Sequence, residues 1–244
     1  MLADRRRILV VAALAAAIAG CSRQGGESAA AGQRATTTLP ALEHSQPLAA
    51  DVPAGEYVLD KSHASLLFRV SHMGFSGYTA RFRRFDAKLT FDPKNPAAAS
   101  VTATIDAKSI ETDYPDPTQL DFNAQLQSEA WLDTARFSEM TFRSTKVDAS
   151  VPDRLKVEGE LTLRGVTRPV VLDARLNGGY AGFQMDPHAR IGFSARGALK
   201  RSEFGMSLGI PEPGSNMGVG DTVEVIIEAE FTGPAWHEAT QKAG

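Results

Sequence analysis

The residues with the clearest chemical potential are five histidines and one cysteine in a chain of 244 residues. Asp60 and His63 stand three positions apart and could serve as a general acid and base. His63 and His72 are nine positions apart, so an unbroken strand would point them to opposite faces, which argues against a shared metal ion. The sequence contains no Gly-x-Ser-x-Gly nucleophile elbow, no phosphate-binding loop and no Cys/His pair. We therefore predict no cofactor and no metal site, and interpret Asp60 and His63 as structural residues where a strand starts or at a rim.

The single cysteine ends the sequence IAGC at residues 18–21, directly after an apolar run at residues 8–18 that three arginines precede. A basic flank, an apolar stretch and small residues are the three parts of a secretory signal. The run is shorter than the roughly 20 residues of a transmembrane helix. Residues 18–21 resemble a bacterial lipobox, which implies that Cys21 is lipidated and holds the protein on a membrane. The alternative is a plain secretory signal in which Cys21 is incidental.

Composition divides the chain into four segments. Residues 1–20 form the predicted lipoprotein signal peptide. Residues 21–53 form the lipidated cysteine and a flexible linker, because small and polar residues there bury too little apolar surface to order the chain. Residues 54–235 form the folded barrel domain, and residues 236–244 form a C-terminal tail. Ser22, rather than an aspartate, follows Cys21, and under the usual bacterial sorting pattern this favours the periplasmic face of the outer membrane.

From residue 56 onward, apolar and polar residues alternate as they do in half-buried strands. Leu66, Phe68 and Val70, for example, share one face of the first such segment. Roughly eight segments of this kind, each with one apolar face, fit antiparallel strands, and closing their sheet removes its edges. We predict an all-β, antiparallel, lipocalin-like barrel of about eight strands. Asp116 and Pro117 resemble the start of a helix and predict one or two short helices within residues 118–132.

Five blocks of this domain resemble the YceI family of lipocalin-like proteins, in order and at compatible spacing, from about residue 57 to residue 231. The blocks are YVLDKSHASLLFRVSHMGFSGYTARFRRFDAKLTFDP, SIETDY, GELTLRGVTRPVVL, KRSEFGM and VGDTVEVIIEAEF. The resemblance implies an eight-stranded barrel in a periplasmic or secreted protein. It also implies a long apolar ligand, such as a polyisoprenoid, a quinone tail or a fatty-acyl derivative. Gln125 stands where the family usually has a histidine, so no role of that histidine is carried over.

Periodicity alone leaves open whether the apolar faces form a packed core or line a cavity, and the resemblance favours a cavity. The residues predicted to bind the ligand lie on the inward strand faces: Phe68, Val70, Leu89, Phe91, Ile105, Phe142, Leu161, Leu163, Leu172, Phe193, Val225 and Ile227. Phe122 and Trp131 lie in the helical segment and are candidates for a mouth or lid. Packing of that segment against the barrel is the alternative for both.

The predicted function is that of a binding or carrier lipoprotein, which holds a long apolar ligand for transport, storage or stress protection. Scavenging of hydrophobic small molecules such as antibiotics is one alternative, and a barrel enzyme that uses Asp60 and His63 is another. The formal net charge of −3 gives no electrostatic reason to expect nucleic acid as a partner. The expected partners are the apolar ligand and, through Cys21, a membrane. The oligomeric state stays open, with a homodimer among the alternatives.

Overall fold

The computed structural model describes residues 52–236, and the predictions for Cys21, for the rest of residues 1–51 and for the tail beyond residue 236 fall outside this range. The strands and the α-helix of the described residues are, in chain order, β1 (Gly55–His72), β2 (Ser76–Phe82), β3 (Phe85–Phe91), β4 (Ser100–Asp106), β5 (Ile110–Glu111), α1 (Phe122–Gln127), β6 (Glu139–Val151), β7 (Arg154–Leu163), β8 (Val166–Tyr180), β9 (His188–Lys200) and β10 (Val219–Ala235). Short 3-10 helices cover Pro96–Ala98, Ala107–Ser109 and Arg201–Phe204. None of these described helices has the length and apolar character needed to cross a membrane.

Eight strands of this part of the chain form one closed antiparallel barrel in the order β1-β3-β4-β6-β7-β8-β9-β10, and β10 pairs with β1 to close the ring. The shorter strand β2 runs beside the second half of β1, and β5 pairs with β2. Some neighbouring strands are joined by tight turns. Arg164 and Gly165 alone join β7 to β8, and both have positive φ, as a two-residue hairpin turn requires. The predicted all-β barrel is confirmed.

A large bulge interrupts β1 between Leu59 and Ala64. Leu59 pairs with Phe231 and Ala64 pairs with Ala229, so residues 60–63 of β1 stand opposite Glu230 alone. The buried positions of β1 are odd-numbered before the bulge, as at Leu59, whereas the apolar face after it is even-numbered. The bulge therefore reverses which residues of β1 face inward.

The helix prediction was correct in its interval and wrong in its starting residue. Helix α1 starts at Phe122, and the Asp121 side chain caps it by accepting a hydrogen bond from the Ala124 amide at 2.8 Å. Asp116 also accepts a bond from the Thr118 amide at 3.1 Å, but the chain makes only one turn there before α1 begins. A cap and a proline start a turn, and tertiary packing decides whether that turn extends into a helix.

Three buried clusters lie in the described barrel: two occupy its opposite ends, and a smaller one comprises Phe142, Val147 and Val157 on β6 and β7. At the "closed end", β1 begins, β10 ends and the Tyr57 ring is fully buried against Gly233, where any Cβ atom would collide with it. The buried cluster of the closed end comprises Val52, Tyr57, Leu59, Ala87, Leu89, Phe91, Leu176, Ala189, Ile191 and Phe231. At the "α1 end", β1 ends, β10 begins and helix α1 packs over the strands. The buried cluster of the α1 end comprises Ile105, Ala107, Ile110, Leu126, Leu132, Met140, Leu163, Phe204 and Met206.

Candidate functional site

A long cavity of about 720 Å³ runs inside the barrel between the two end clusters. This volume is in the upper part of the range for small-molecule sites, which is roughly 300–1,000 Å³. Inward-facing side chains of the barrel strands form most of the wall, and residues of β2, β5, α1 and neighbouring loops complete it. The great majority of these side chains are apolar. The cavity can therefore hold an apolar molecule by burial alone, with few directional contacts along its length.

All fourteen residues that the sequence suggested for the cavity and its mouth lie on the cavity wall. Phe68, Leu161 and Val225 are only half-buried although they face inward, and the same holds for Val70, Leu172, Phe193 and Ile227. Core residues of a packed barrel would lose this accessible surface. The middle of the barrel is therefore hollow, which periodicity could not decide. Contact of these residues with a ligand stays a prediction.

Most of the polar side chains on the cavity wall lie at the α1 end. The exception is Ser100, at the start of β4; the others are His72, Tyr78, Tyr114, Gln125 and Arg201. The Tyr78 hydroxyl donates to the Thr112 carbonyl at 3.2 Å, and burial raises the pKa of this phenol. Sequence reasoning did not place these polar residues at a cavity, because Tyr114 lies in a loop and Gln125 in α1, where strand alternation gives no signal.

The aromatic side chains of this end pack on α1. Phe122 stands between Tyr78 and Tyr114, with ring centroids 5.7 Å from each. The Asn123 side chain accepts hydrogen bonds from the amide and the hydroxyl of Thr112, at 2.9 and 2.7 Å, which fixes α1 to the chain beside β5. Phe122 therefore combines contact with the cavity and packing of the helix, the two roles considered for it.

Arg201 is a buried cation on the cavity wall, with 3% of its surface exposed. Its guanidinium donates to the carbonyls of Gly220, Met206 and Val219 at 2.8–2.9 Å and lies 5.2 Å from the Trp131 ring centre. No carboxylate of the described residues forms a salt bridge with it, and burial lowers its pKa. Because arginine keeps its proton in proteins, this end of the cavity carries a positive charge that three carbonyl dipoles and the nearby Asp221 carboxylate offset.

The mouth of the cavity is at the α1 end. Four residues of the wall are also exposed to solvent, and three of them, His72, Leu120 and Gln125, belong to this end. The fourth is Ser100, on the barrel side. At the closed end, Tyr57 and Ile191 seal the barrel, and the Tyr57 hydroxyl donates to the Pro53 carbonyl at 2.5 Å.

Asp60 and His63 lie outside the cavity, on the bulge of β1. Asp60 accepts hydrogen bonds from His63 at 3.0 Å and from Arg190 at 2.7 Å, and Arg190 also donates to Asp186 at 3.0 Å. The bond from His63, followed by the bonds from the Ser62 amide and Arg190, lowers the pKa of Asp60 to about 2. Asp60 and, next, Glu230 raise the pKa of His63. The cluster is a charged clamp that fixes the bulge to β9.

Asp60, His63 and Glu230 could also hold a metal ion, since their candidate ligand atoms lie within 4.8 Å of one another. The Arg190 guanidinium already supplies a cation to Asp60, so a metal ion would have to displace it. His72 lies apart from this group, on the cavity wall. Its side chain and that of His63 therefore do not share a site.

A second hollow, of about 950 Å³, lies on the outer surface beside the break between β2 and β3. Charged side chains dominate its rim, and several are already paired: Lys61 with Asp86 at 2.6 Å, and Arg84 with Asp106 at 2.7 Å. Phe82 contributes to both hollows and forms part of the wall between them. The outer hollow is open to solvent and its rim is charged, so the inner cavity is the better candidate for a binding site.

A closed antiparallel barrel of eight strands with an apolar interior and one mouth defines the class of lipocalin-like barrels. The model of the YceI-like domain matches residues 57–231, and this chain belongs to the YceI family.

The relatives and solved structures agree with this assignment. Protein YceI of Salmonella arizonae is 37% identical over 179 residues, which cover 72% of this chain and 86% of that protein. The crystal structure of the Campylobacter jejuni YceI protein is 27% identical, with a TM-score of 0.55 over 66% of this chain and 88% of that one. A polyisoprenoid binding domain from Saccharophagus degradans has the same fold, with 17% identity and a TM-score of 0.50 over 74% of this chain and 99% of that one.

Proposed function

We propose that this protein binds one long apolar chain, such as a polyisoprenoid, a quinone tail or a fatty-acyl derivative, inside the barrel. The observation that carries the proposal is the apolar cavity of about 720 Å³ with its mouth at the α1 end. The Saccharophagus degradans domain, described as polyisoprenoid binding, has the same fold and supports this ligand class. The ligand tail points to the closed end, because Ser100 is the one polar side chain of the cavity wall outside the α1 end. The head group lies near Tyr78, Gln125 and Arg201.

The energetics suit a carrier that selects by length and shape. Ten buried methylenes contribute about 8 kcal/mol before the costs of binding. Ordering of the chain and loss of its free translation offset part of this gain. A wall with so few polar groups cannot distinguish one apolar chain from another by hydrogen bonds along the tail. Discrimination by chemistry is therefore confined to the α1 end.

We favour binding over catalysis because the cavity lacks paired reactive groups. Asp60 and His63, the acid and base considered from sequence, sit on the outer wall and are engaged with Arg190. Arg201, the buried cation on the cavity wall, donates its hydrogen bonds to three carbonyls and therefore has a structural role. A His63→Ala variant with unchanged ligand binding and a lost turnover would instead support an enzyme.

The test of ligand binding is native mass spectrometry of the purified full chain, with extraction and identification of any bound lipid. We expect one long-chain molecule per protein. An empty barrel that also binds neither ubiquinone-10 nor a farnesylated fluorescent probe would refute the proposal. Competition between that probe and hydrophobic antibiotics distinguishes a carrier from a scavenger, because only a scavenger releases the probe at comparable antibiotic concentrations.

We also propose that Cys21 anchors the protein at the periplasmic face of the outer membrane. The support is the lipobox-like sequence at residues 18–21 and the serine that follows it. Mass spectrometry of the mature protein should find acyl groups on Cys21, and a Cys21→Ser chain should lack them and keep an unchanged thermal unfolding midpoint. If Cys21 carries no acyl group in the mature protein, the proposed anchor is wrong, and recovery of the unmutated protein only with the inner membrane would refute the sorting.

A further inference from the structure

Exposed apolar side chains border the mouth of the cavity on two loops, residues 73–75 and 205–218, which we call the rim loops. Phe75 is 81% exposed, Met217 68% and Leu208 53%. We propose that the rim loops insert into a lipid bilayer, so that the mouth opens onto the membrane. This inference rests on the proposed function, since it states from which phase the apolar chain enters.

The rim loops are built as one surface. The Met73 amide donates to the Gly218 carbonyl at 2.7 Å, and the Val219 amide donates to the Gly209 carbonyl at 2.7 Å. Met73 and Gly74 both have positive φ, 52° and 69°, which is typical of a tight hairpin turn. These bonds and this turn hold Phe75, Leu208 and Met217 in place without burying them. The apolar surface is continuous with the mouth, because His72 and Val219 flank the rim loops and line the cavity.

The charge of the rim loops favours a bilayer as the occupant. Glu212 is their only charged residue, so few ionised groups would have to leave water. The opposite end also exposes apolar side chains, with Met185 at 88% and Phe183 at 48%. Those residues stand beside Asp186 and Arg190 and over the sealed end of the barrel. The closed end therefore supplies a matched control with similar apolar exposure and no mouth.

The geometry is compatible with the proposed anchor at Cys21. Strand β10 has 17 residues, so with a rise of about 3.3 Å per residue and a tilt near 40° the barrel is roughly 40 Å tall. The chain from Cys21 to Val52 can span at most about 100 Å. An anchor attached through the closed end can therefore still allow the α1 end to face the same bilayer.

The test uses the mature Cys21→Ser chain, from residue 21 onward, which carries neither the predicted signal peptide nor an acyl group, and neutral vesicles of phosphatidylcholine and phosphatidylethanolamine. Because Cys21 is the only cysteine, Phe75→Cys or Met185→Cys added to this chain takes a single environment-sensitive dye. We expect vesicles to shift the emission of the dye at position 75 to shorter wavelength and to leave position 185 unchanged. High salt should not reverse the shift, because the contact is apolar.

A second arm measures vesicle partitioning of two double variants. Phe75→Ser with Met217→Ser should lower partitioning by about tenfold or more, since each large apolar side chain removed from the bilayer has an effect of that order. Phe183→Ser with Met185→Ser should change it less than about twofold. The inference is wrong if the protein does not bind vesicles, or if both double variants lose vesicle binding equally. It is also wrong if the rim loops form dimers whose stability does not change when vesicles are added. Binding of the farnesylated probe in detergent tests the cavity separately and should be unchanged in the rim variants.

Discussion

Replacing Val225 by tryptophan tests whether the barrel works through empty space. Val225 lies on the cavity wall, half-buried, opposite Phe68 on β1 and Gly197 on β9. The new side chain adds roughly seven heavy atoms and would displace at least about four ligand methylenes. At about 0.8 kcal/mol each, the loss is ~3 kcal/mol, or about a hundredfold in Kd. Titration of the farnesylated fluorescent probe would measure it.

The effect of Val225→Trp on stability distinguishes a hollow barrel from a packed one. Extra atoms in a filled core cost about 1–3 kcal/mol of stability, whereas indole placed in a hollow should leave the free energy of unfolding unchanged or raise it. The matched control is Val171→Trp, on the outer face of β8 with 40% of its surface exposed. It should alter neither probe affinity nor stability. A destabilised Val225→Trp with unchanged affinity would refute the reasoning.

Two further predictions concern groups around the cavity. Arg201→Met removes the donors of three carbonyls, so urea unfolding should show a loss of about 3 kcal/mol or more in the free energy of unfolding. The control Arg196→Met, on the exposed outer wall, should change this free energy by no more than about 0.5 kcal/mol. Equal effects of the two substitutions would contradict the structural role of the buried Arg201 guanidinium. The pKa of Asp60 is lowered from 3.8 to about 2, so its contribution to stability exists above pH 4 and is lost as pH falls toward 2; Asp60→Asn should flatten this acid limb in denaturation followed by circular dichroism. The pKa of His63 is raised from 6.5, so its contribution to stability is fully present below pH 6.5 and is lost as the pH rises through the raised value. His63→Asn should remove this loss of stability above neutral pH. A variant whose stability falls with pH as in the wild type would contradict the assignment.

Alternation predicted the barrel because it reports a property of each strand on its own. Val225 and Ile227 stand on the strand face opposite Glu224 and Glu228, and a strand with one apolar and one charged face must bury the apolar one. Alternation could not predict the bulge at residues 60–63, because the position of the bulge depends on contacts between strands. These contacts are the pairing of β1 with β10 and the bond that Arg190 of β9 donates to Asp60. The start of α1 was misplaced for the same reason: Asp116 and Asp121 both form cap-like bonds, and packing selects the second.

The polar groups of the mouth are harder still to find from sequence. Tyr78, Gln125 and Arg201 come from a strand, a helix and a 3-10 turn that are far apart in the chain. Each has an ordinary structural explanation when taken alone, as a strand tyrosine, a surface glutamine or a salt-bridging arginine. Only the three-dimensional arrangement shows that they share one end of an apolar cavity.

Stability and binding are divided along the barrel axis. The two end clusters are tightly buried, with Tyr57 at one end and Phe204 at the other, while much of the remaining cavity wall keeps accessible surface facing inward. A long apolar chain that fills this space therefore supplies the core that the sequence leaves out. Binding then stabilises the fold by mass action, by about 2.7 kcal/mol at a ligand concentration one hundred times Kd. The middle strands should gain the most protection from hydrogen exchange, because the end clusters are already packed without the ligand.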